Sequence, residues 1–200
     1  MASSWLLWAA LAAAPGPALV QTEADEYTRY ELLAPETSQF RILYEVTATA
    51  AGATAFYNPI RKGSEASNEA VYDRLTGEKL RFDVVGGAQA RAEGWAAADA
   101  ETQYIKVQLA RPVAKDGEAR LLIDKTYKDP KSYSRDGNQI VFARPLGIRR
   151  NAVVLPAGYE LVACNVPAQV LSESDGRILV SFMNSLPTEA PLVVRARRLP

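Results

Sequence analysis

The side chains best suited to binding chemistry are aromatic and basic residues in the second half of the chain: Tyr127, Tyr133, Arg149, Arg150 and Asn151. Aromatic faces beside forked guanidinium donors suit sugars, carboxylates or an acidic loop of a partner protein. We therefore predict a ligand- or partner-binding surface here. The alternative is a solvated loop whose tyrosines cover the edge of the core and whose arginines balance nearby acids.

A second candidate is Trp95, which lies within the Ala/Gly-rich stretch from Gly86 to Glu101. This stretch is typical of a long connection or a mobile edge, in which an exposed indole could stack on a ligand or a partner. The alternative is that Trp95 folds back onto the core.

Catalytic chemistry is restricted by composition. The chain has no histidine, which removes the usual general base and the usual metal ligand. Its single cysteine, Cys164, allows no intramolecular disulfide and no zinc site. We predict no catalytic residue and no metal site, and we expect Cys164 to be a small buried hydrophobe, with an intermolecular disulfide as the alternative.

Carboxylates are the catalytic device that needs neither histidine nor cysteine. Asp124, Asp129 and Asp136 are the nearest approach to a cluster, and Asp129 and Asp136 with Asn138 could supply oxygen ligands to calcium. Asp129 precedes a proline and Asp136 precedes a glycine, so roles in turns are sufficient. Because the glycine-rich phosphate-binding motifs are also missing, we expect no cofactor.

The N-terminal sequence is typical of an export signal. Trp5 to Ala14 is apolar, too short to span a bilayer, and is followed by Pro15 and Pro17. We predict a leader over residues 1–24, cleaved between 18 and 24, and one β-sandwich-like domain over 25–200, located in the periplasm or outside the cell. An uncleaved tail is the alternative, because no Lys or Arg precedes the apolar run.

The rest of the chain has the pattern of an all-β protein. Phe40 to Val46 alternates between apolar and polar residues, and Asp-Gly pairs at 116, 136 and 175 separate short β-like runs. We predict an antiparallel β-sandwich of about nine to eleven short strands. Val71 to Val85 is predicted as a hairpin, with a short helix over Glu65 to Leu75 as the alternative. Gln103 to Leu109 is predicted to pair with Ala119 to Thr126.

Two stretches resemble known proteins. Arg144 to Asn184 resembles a block of uncharacterised secreted bacterial β-rich proteins. The hairpin with Val71-Tyr72-Asp73, Thr76-Gly77 and Leu80-Arg81-Phe82 resembles those in the non-catalytic N-terminal β-sandwich of large zinc aminopeptidases. The second resemblance implies the fold alone, since the HExxH motif of those enzymes cannot occur in a chain without histidine.

The charges balance at 23 basic and 23 acidic residues, interleaved along the chain, so nucleic acid is not an expected partner. No later segment approaches transmembrane length. We therefore expect an exported, non-catalytic accessory or protein-interaction domain that uses a sandwich face or an edge strand. A carbohydrate-binding module and a carboxylate-only hydrolase are the alternatives. The expected partner is another protein or a glycan.

Overall fold

A computed structural model describes residues 20–200, and most of the predicted leader lies outside this range. Within it the chain forms 15 strands, one short α-helix and a 3₁₀ turn at Pro35–Thr37, which confirms the all-β fold. The elements are β1 (Glu23–Leu32), β2 (Gln39–Ala48), β3 (Ala55–Ile60), β4 (Glu65–Asp73), β5 (Lys79–Leu80), β6 (Phe82–Gly86), α1 (Gly87–Ala92), β7 (Gln103–Gln108), β8 (Ala119–Lys128), β9 (Tyr133–Asp136), β10 (Gln139–Leu146), β11 (Arg150–Val154), β12 (Tyr159–Cys164), β13 (Gln169–Ser172), β14 (Ile178–Met183) and β15 (Ala190–Arg198).

The strands described here form three sheets. Sheet A has eight strands in the order β13-β14-β11-β1-β2-β8-β4-β5. Sheet B has the order β3-β7-β6, and sheet C has the order β12-β15-β10-β9. β1 pairs with β11 in parallel and with β2 antiparallel, so the first strand lies in the middle of sheet A. No helix within residues 20–200 is long and apolar enough to cross a membrane.

The main core lies between the inner faces of the sheets. Strict alternation along β2 buries Phe40, Ile42, Tyr44 and Val46 on one face, because successive side chains of a strand point to opposite sides. Phe40 meets Phe142 of sheet C edge to face, with 5.2 Å between ring centroids. Burying each such ring stabilises the fold by about 1.5–3 kcal/mol. The core is continuous and includes side chains of all three sheets.

A smaller core holds the Ala/Gly-rich segment against sheet B. Tyr57, Val85, Ala90 and Tyr104 are buried there with Trp95 packed against them. Gly87 permits this packing, because a Cβ at that position would lie 1.8 Å from the backbone oxygen of Asp99. The segment is the predicted long connection, between β6 and β7, but it is not a free edge: part of it is the helix α1, and the rest packs closely on sheet B.

Three further predictions differ from the structure: the number of strands, one helix and one strand pairing. The described residues form 15 strands rather than about nine to eleven. The alternative helix over Glu65 to Leu75 is wrong, because β4 occupies this region and pairs with β8. The predicted pairing of Gln103–Leu109 with Ala119–Thr126 is also wrong, because β7 lies in sheet B and β8 in sheet A. Sequence reasoning also missed β1, whose first half is too polar to read as a buried strand.

The Asp-Gly turns at 136 and 175 do connect paired strands, β9 with β10 and β13 with β14. The predicted hairpin over residues 71–85 is confirmed in its first part, where β4 pairs with β5, whereas β6 crosses to sheet B. Cys164 lies at the end of β12, half-buried against the core, as a free thiol.

Candidate functional site

A cleft of about 780 Å³ opens where the three sheets meet. One wall is the inner face of sheet A, with side chains from β1, β2 and β8. The opposite wall comes from β3 and β7 of sheet B together with Trp95, and the end of β10 in sheet C closes a third side. The principal lining residues are Thr28, Tyr30, Tyr44, Tyr57, Asn58, Arg61, Trp95, Tyr104, Lys125, Tyr127 and Arg144.

Lys125 lies on the floor of this cleft and is only 4% exposed. The alternation of β8 places it on the same inward face as Ile123 and Tyr127. Its Nζ donates a hydrogen bond to Asn58 Oδ1 and lies 5.1 Å from the centre of the Tyr127 ring. Burial, together with the charge of the neighbouring Arg144 guanidinium, lowers the pKa of Lys125 from 10.5 to about 7, against a smaller opposing effect of Glu69.

Arg144 is the second buried cation of the floor and is 5% exposed. Its Nη1 lies 3.1 Å from Asp129 Oδ2 and 3.1 Å from Ser132 Oγ. The guanidinium also lies near the rings of Phe40 and Tyr127, 5.4 and 5.6 Å from their centres. Burial lowers the pKa of Arg144 but leaves it a cation at neutral pH. The floor therefore carries two basic side chains, of which Arg144 is paired with the carboxylate of Asp129.

Two hydroxyl groups on the sheet A wall differ in their hydrogen bonding. Tyr44 donates a 2.6 Å hydrogen bond to Glu26 Oε1, and burial followed by this bond raises the pKa of Tyr44 strongly. Thr28 Oγ1 lies on the same wall, fully buried, and has no hydrogen-bond partner among the described residues. A buried hydroxyl without a partner is unusual in a folded protein.

The rim of the cleft is acidic. Glu23, Glu26 and Glu189 line it, and Glu23 and Glu189 are exposed. Partial burial raises the pKa of Glu23, and the charge of Glu26 raises it further. The cleft thus runs from an acidic rim to a basic floor.

Trp95 forms the wall on the side of sheet B. Its ring stacks on Tyr57 at 4.8 Å between centroids and meets Tyr104 edge-on at 5.0 Å. Tyr57 is fixed in turn by a 2.9 Å hydrogen bond to Glu93 and by the Gln21 side-chain amide, which bonds to both backbone groups of Tyr57. Trp95 has therefore folded back onto a small core while still lining the cleft.

The structure brings together only part of the predicted binding surface. Trp95 and Tyr127 both line the cleft. Tyr133 is fully buried elsewhere in the core and donates a hydrogen bond to the carbonyl of Leu33. Alternation in β8 and the first position of β9 turn both rings inward, so Tyr127 faces the cleft, whereas Tyr133, predicted at the same surface, faces the core.

The other predicted residues lie outside the cleft lining. Arg150 donates hydrogen bonds to the carbonyls of Asp25 and Glu26, which fasten the start of β1. Asn151 is buried and donates to the carbonyl of Ile148, whereas Arg149 is exposed. A binding role for these three side chains stays a prediction.

The carboxylates weighed as catalytic or calcium-binding groups each have a partner of their own. Asp124 accepts hydrogen bonds from Arg41, Asp129 from Ser132 and Arg144, and Asp136 from Arg195. Among residues 20–200, no three His, Cys, Asp or Glu side chains are arranged to hold a metal ion.

Sequence reasoning missed the floor of the site. Lys125 and Arg144 each occupy an inward position of an alternating strand, between Ile123 and Tyr127 in β8 and between Phe142 and Leu146 in β10. A basic residue at an inward position of an alternating strand, where apolar residues are expected, is the sequence signal that could have identified them. Asn58 had no such signal, because its role depends on how sheet B approaches sheet A.

No protein-family model and no curated protein matches this sequence. Solved structures do match. The M1 zinc metallopeptidase of Deinococcus radiodurans matches with a TM-score of 0.51 and 12% identity, over 86% of this chain and 41% of that one. A structure described as a two-domain M1 zinc metallopeptidase matches with a TM-score of 0.50 and 13% identity, over the same shares.

The aminopeptidase N family protein of Idiomarina loihiensis matches with a TM-score of 0.51 and 9% identity, over 86% of this chain and 29% of that chain. The chain thus spans less than half the length of the proteins it matches. At these identities the likeness shows the fold alone. The resemblance to the N-terminal β-domain of zinc aminopeptidases is confirmed at that level.

Proposed function

We propose that this protein is an exported, non-catalytic binding domain that holds a segment of a partner protein in the cleft between its three sheets. The cleft itself carries the proposal. It combines aromatic walls at Tyr57 and Trp95 with two buried cations, Lys125 and Arg144, and such a mixture of apolar surface and few polar groups is typical of binding sites.

The fold is consistent with an accessory role. One of the matching structures is described as a two-domain peptidase, of which this fold covers 41%, so the fold occurs elsewhere as one part of a larger unit. A chain without histidine cannot supply the HExxH motif of a zinc peptidase. We therefore propose binding rather than zinc-dependent peptide hydrolysis as the role of the cleft.

Site-specific photo-crosslinking tests the proposal. A photoreactive phenylalanine replaces Gly147 at the cleft rim, where an added Cβ would meet only the Glu189 side chain, at 3.6 Å. Matched positions are Val170 on the edge strand β13 and Leu75 in the loop between β4 and β5, both of which are exposed. The three photoreactive proteins are incubated with the cell envelope fraction and the culture medium of the source cells.

We expect a discrete adduct from position 147 that excess unlabelled protein suppresses, and none from position 75. An adduct from position 170 alone would instead assign binding to the edge strand. Equal adducts from all three positions, or none, would contradict the proposal.

A carbohydrate ligand is the second candidate, favoured by the position of Trp95 beside the open cleft. A sugar ring could stack on the exposed part of the half-buried indole, beside Tyr57 and Tyr104. Glycan-array binding would support this function if Trp95→Ala abolishes it and Tyr72→Ala preserves it. Tyr72 is the matched control, because it is half-buried and lies outside the cleft lining. Binding that survives Trp95→Ala would remove Trp95 from the site.

A further inference from the structure

We infer that the floor of the cleft is a carboxylate subsite, in which Lys125 and Thr28 bind a single negatively charged group of the ligand. This inference rests on the proposed function, since it names the chemistry that the cleft recognises. It extends that function to ligands beyond the natural partner, because any carboxylate that fits the cleft should occupy the floor.

The first observation is that Lys125 has fewer acceptors than its ammonium group has donors. An ammonium group has three donors, and Asn58 Oδ1 is the one acceptor that its Nζ reaches among the described residues. No carboxylate of residues 20–200 forms an ion pair with Lys125, although it is almost completely buried. Burying a charge without a counter-ion is costly, so a leucine or methionine would serve the fold better at this position.

The second, independent observation is the hydrogen bonding of Thr28, which lies on the same wall. Its hydroxyl is buried, lines the cleft together with Lys125, and forms no hydrogen bond of ordinary geometry within residues 20–200. Thr28 lies opposite Asn151 in the register of β1 and β11, and Asn151 Oδ1 is also without a partner among these residues. A hydroxyl and an ammonium are both donors, so one anionic acceptor can satisfy the two groups at once. β1 and β8 carry these residues on either side of β2 and present both on the inner face of sheet A. Thr28 lies opposite Tyr44 and Lys125 opposite Ile42, so a group bound by both must reach across two positions of β2.

The charge of the floor favours one negative charge. Lys125 and Arg144 are the buried cations, and Asp129 is paired with Arg144 at 3.1 Å. With Lys125 protonated, these three buried groups leave a single positive charge to be neutralised, and the half-buried Arg61 of the cleft lining donates a hydrogen bond to the carbonyl of Pro145. The acidic rim formed by Glu23, Glu26 and Glu189 disfavours groups that carry two charges, such as phosphate. A carboxylate satisfies both conditions, and the tyrosines of the walls provide apolar surface for the rest of the ligand.

Titration calorimetry with phenylacetate tests this inference, with uncharged phenylacetamide as the matched probe. We expect saturable binding of phenylacetate and at least about tenfold weaker binding of phenylacetamide, as the loss of a charge-assisted hydrogen bond implies. Lys125→Met should weaken phenylacetate binding at least about tenfold, and Thr28→Val by a few fold. Lys128→Met removes an exposed lysine of the same strand and should leave the affinity unchanged.

Because methionine suits a buried position, Lys125→Met should remain folded, and its thermal unfolding checks this. Equal binding of the two probes, wild-type affinity in Lys125→Met, or no binding of phenylacetate would overturn the inference. Tighter binding of inorganic phosphate than of phenylacetate would overturn the choice of a carboxylate. A crosslinked partner without phenylacetate binding would refute the subsite alone, whereas phenylacetate binding without a crosslinked partner would refute the protein-partner function alone.

Discussion

Lys125 Nζ donates a hydrogen bond to Asn58 Oδ1 across the boundary between sheet A and sheet B. The two residues are 67 positions apart in the chain, and both are buried. This contact joins the floor of the cleft to the wall that carries Trp95. It also supplies Lys125 with a neutral acceptor rather than a counter-ion, so the site holds a buried amine whose charge depends on what the cleft contains.

The first prediction concerns this contact. Asn58→Leu removes the acceptor of Lys125 and should lower the free energy of unfolding by about 1–3 kcal/mol, because a buried donor loses its partner. In a Lys125→Met background the same substitution should cost much less, since no donor is left without a partner. Urea denaturation of the four proteins measures both costs. Equal costs in the two backgrounds would show that the contact does not couple the residues.

The second prediction concerns the pH dependence of stability. With the pKa of Lys125 lowered to about 7 in the folded protein, the unfolded chain binds more protons between about pH 7 and the ordinary lysine pKa of 10.5. The free energy of unfolding should therefore rise with pH in this window, by up to about 1.4 kcal/mol per pH unit. The groups around the amine that set this behaviour are Asn58, Glu69, Tyr127 and Arg144.

The measurement is best made between about pH 7 and 9.5. Burial raises the pKa of Tyr30 to about 12, so above about pH 10 the unfolded tyrosine ionises first and stability falls again. Lys125→Met should lack the rise between pH 7 and 9.5, and Lys128→Met should retain it. An unchanged rise in Lys125→Met would assign it to another group.

The third prediction contrasts a buried ion pair with an exposed one. Arg144→Met leaves Asp129 buried without its guanidinium and should cost on the order of 3–5 kcal/mol. Arg195→Met breaks a similar contact, 2.8 Å from Asp136, where both side chains are well exposed. That change should cost about 1 kcal/mol or less. Thermal unfolding distinguishes the two, and similar costs would contradict the burial assigned to Arg144.

Much of the fold could be predicted from alternation, whereas the contacts between sheets could not. The inward stripe Phe40, Ile42 and Tyr44 follows from period-two alternation alone. The pairing of β7 depends on where Ile105 and Val107 find apolar neighbours, and these lie in β3 and β6 rather than in the next strand of the chain. An Asp-Gly pair at 116 favours a turn but does not determine which strands pair across it.

The candidate site, like the fold, could be predicted only in part. The aromatic members Trp95 and Tyr127 could be predicted from residue type, and both line the cleft. Lys125 could be found only by noticing a charge in an apolar register. The contribution of Asn58 required the packing of sheet B on sheet A, which no local pattern records.

The fourth prediction concerns the proposed export signal. Gln21 lies inside the predicted cleavage window of 18 to 24, and its side-chain amide bonds to both backbone groups of Tyr57, at 3.0 and 2.8 Å. We therefore expect the exported protein to begin at or before Gln21, which intact mass measurement of the secreted form determines. A mature form that begins at Asp25 would contradict this expectation, because it would lack the residue that holds β3 beside the cleft.

The most direct measurement is the titration of Lys125 by NMR, with and without phenylacetate. The side-chain carbon next to Nζ reports the charge of this lysine, and Lys125→Met assigns the signal. We predict a midpoint near pH 7 in the free protein and, with saturating phenylacetate, a midpoint at least about one pH unit higher, because a bound anion favours the charged amine. A midpoint that phenylacetate leaves unchanged would contradict the claim that this cleft binds carboxylates at Lys125.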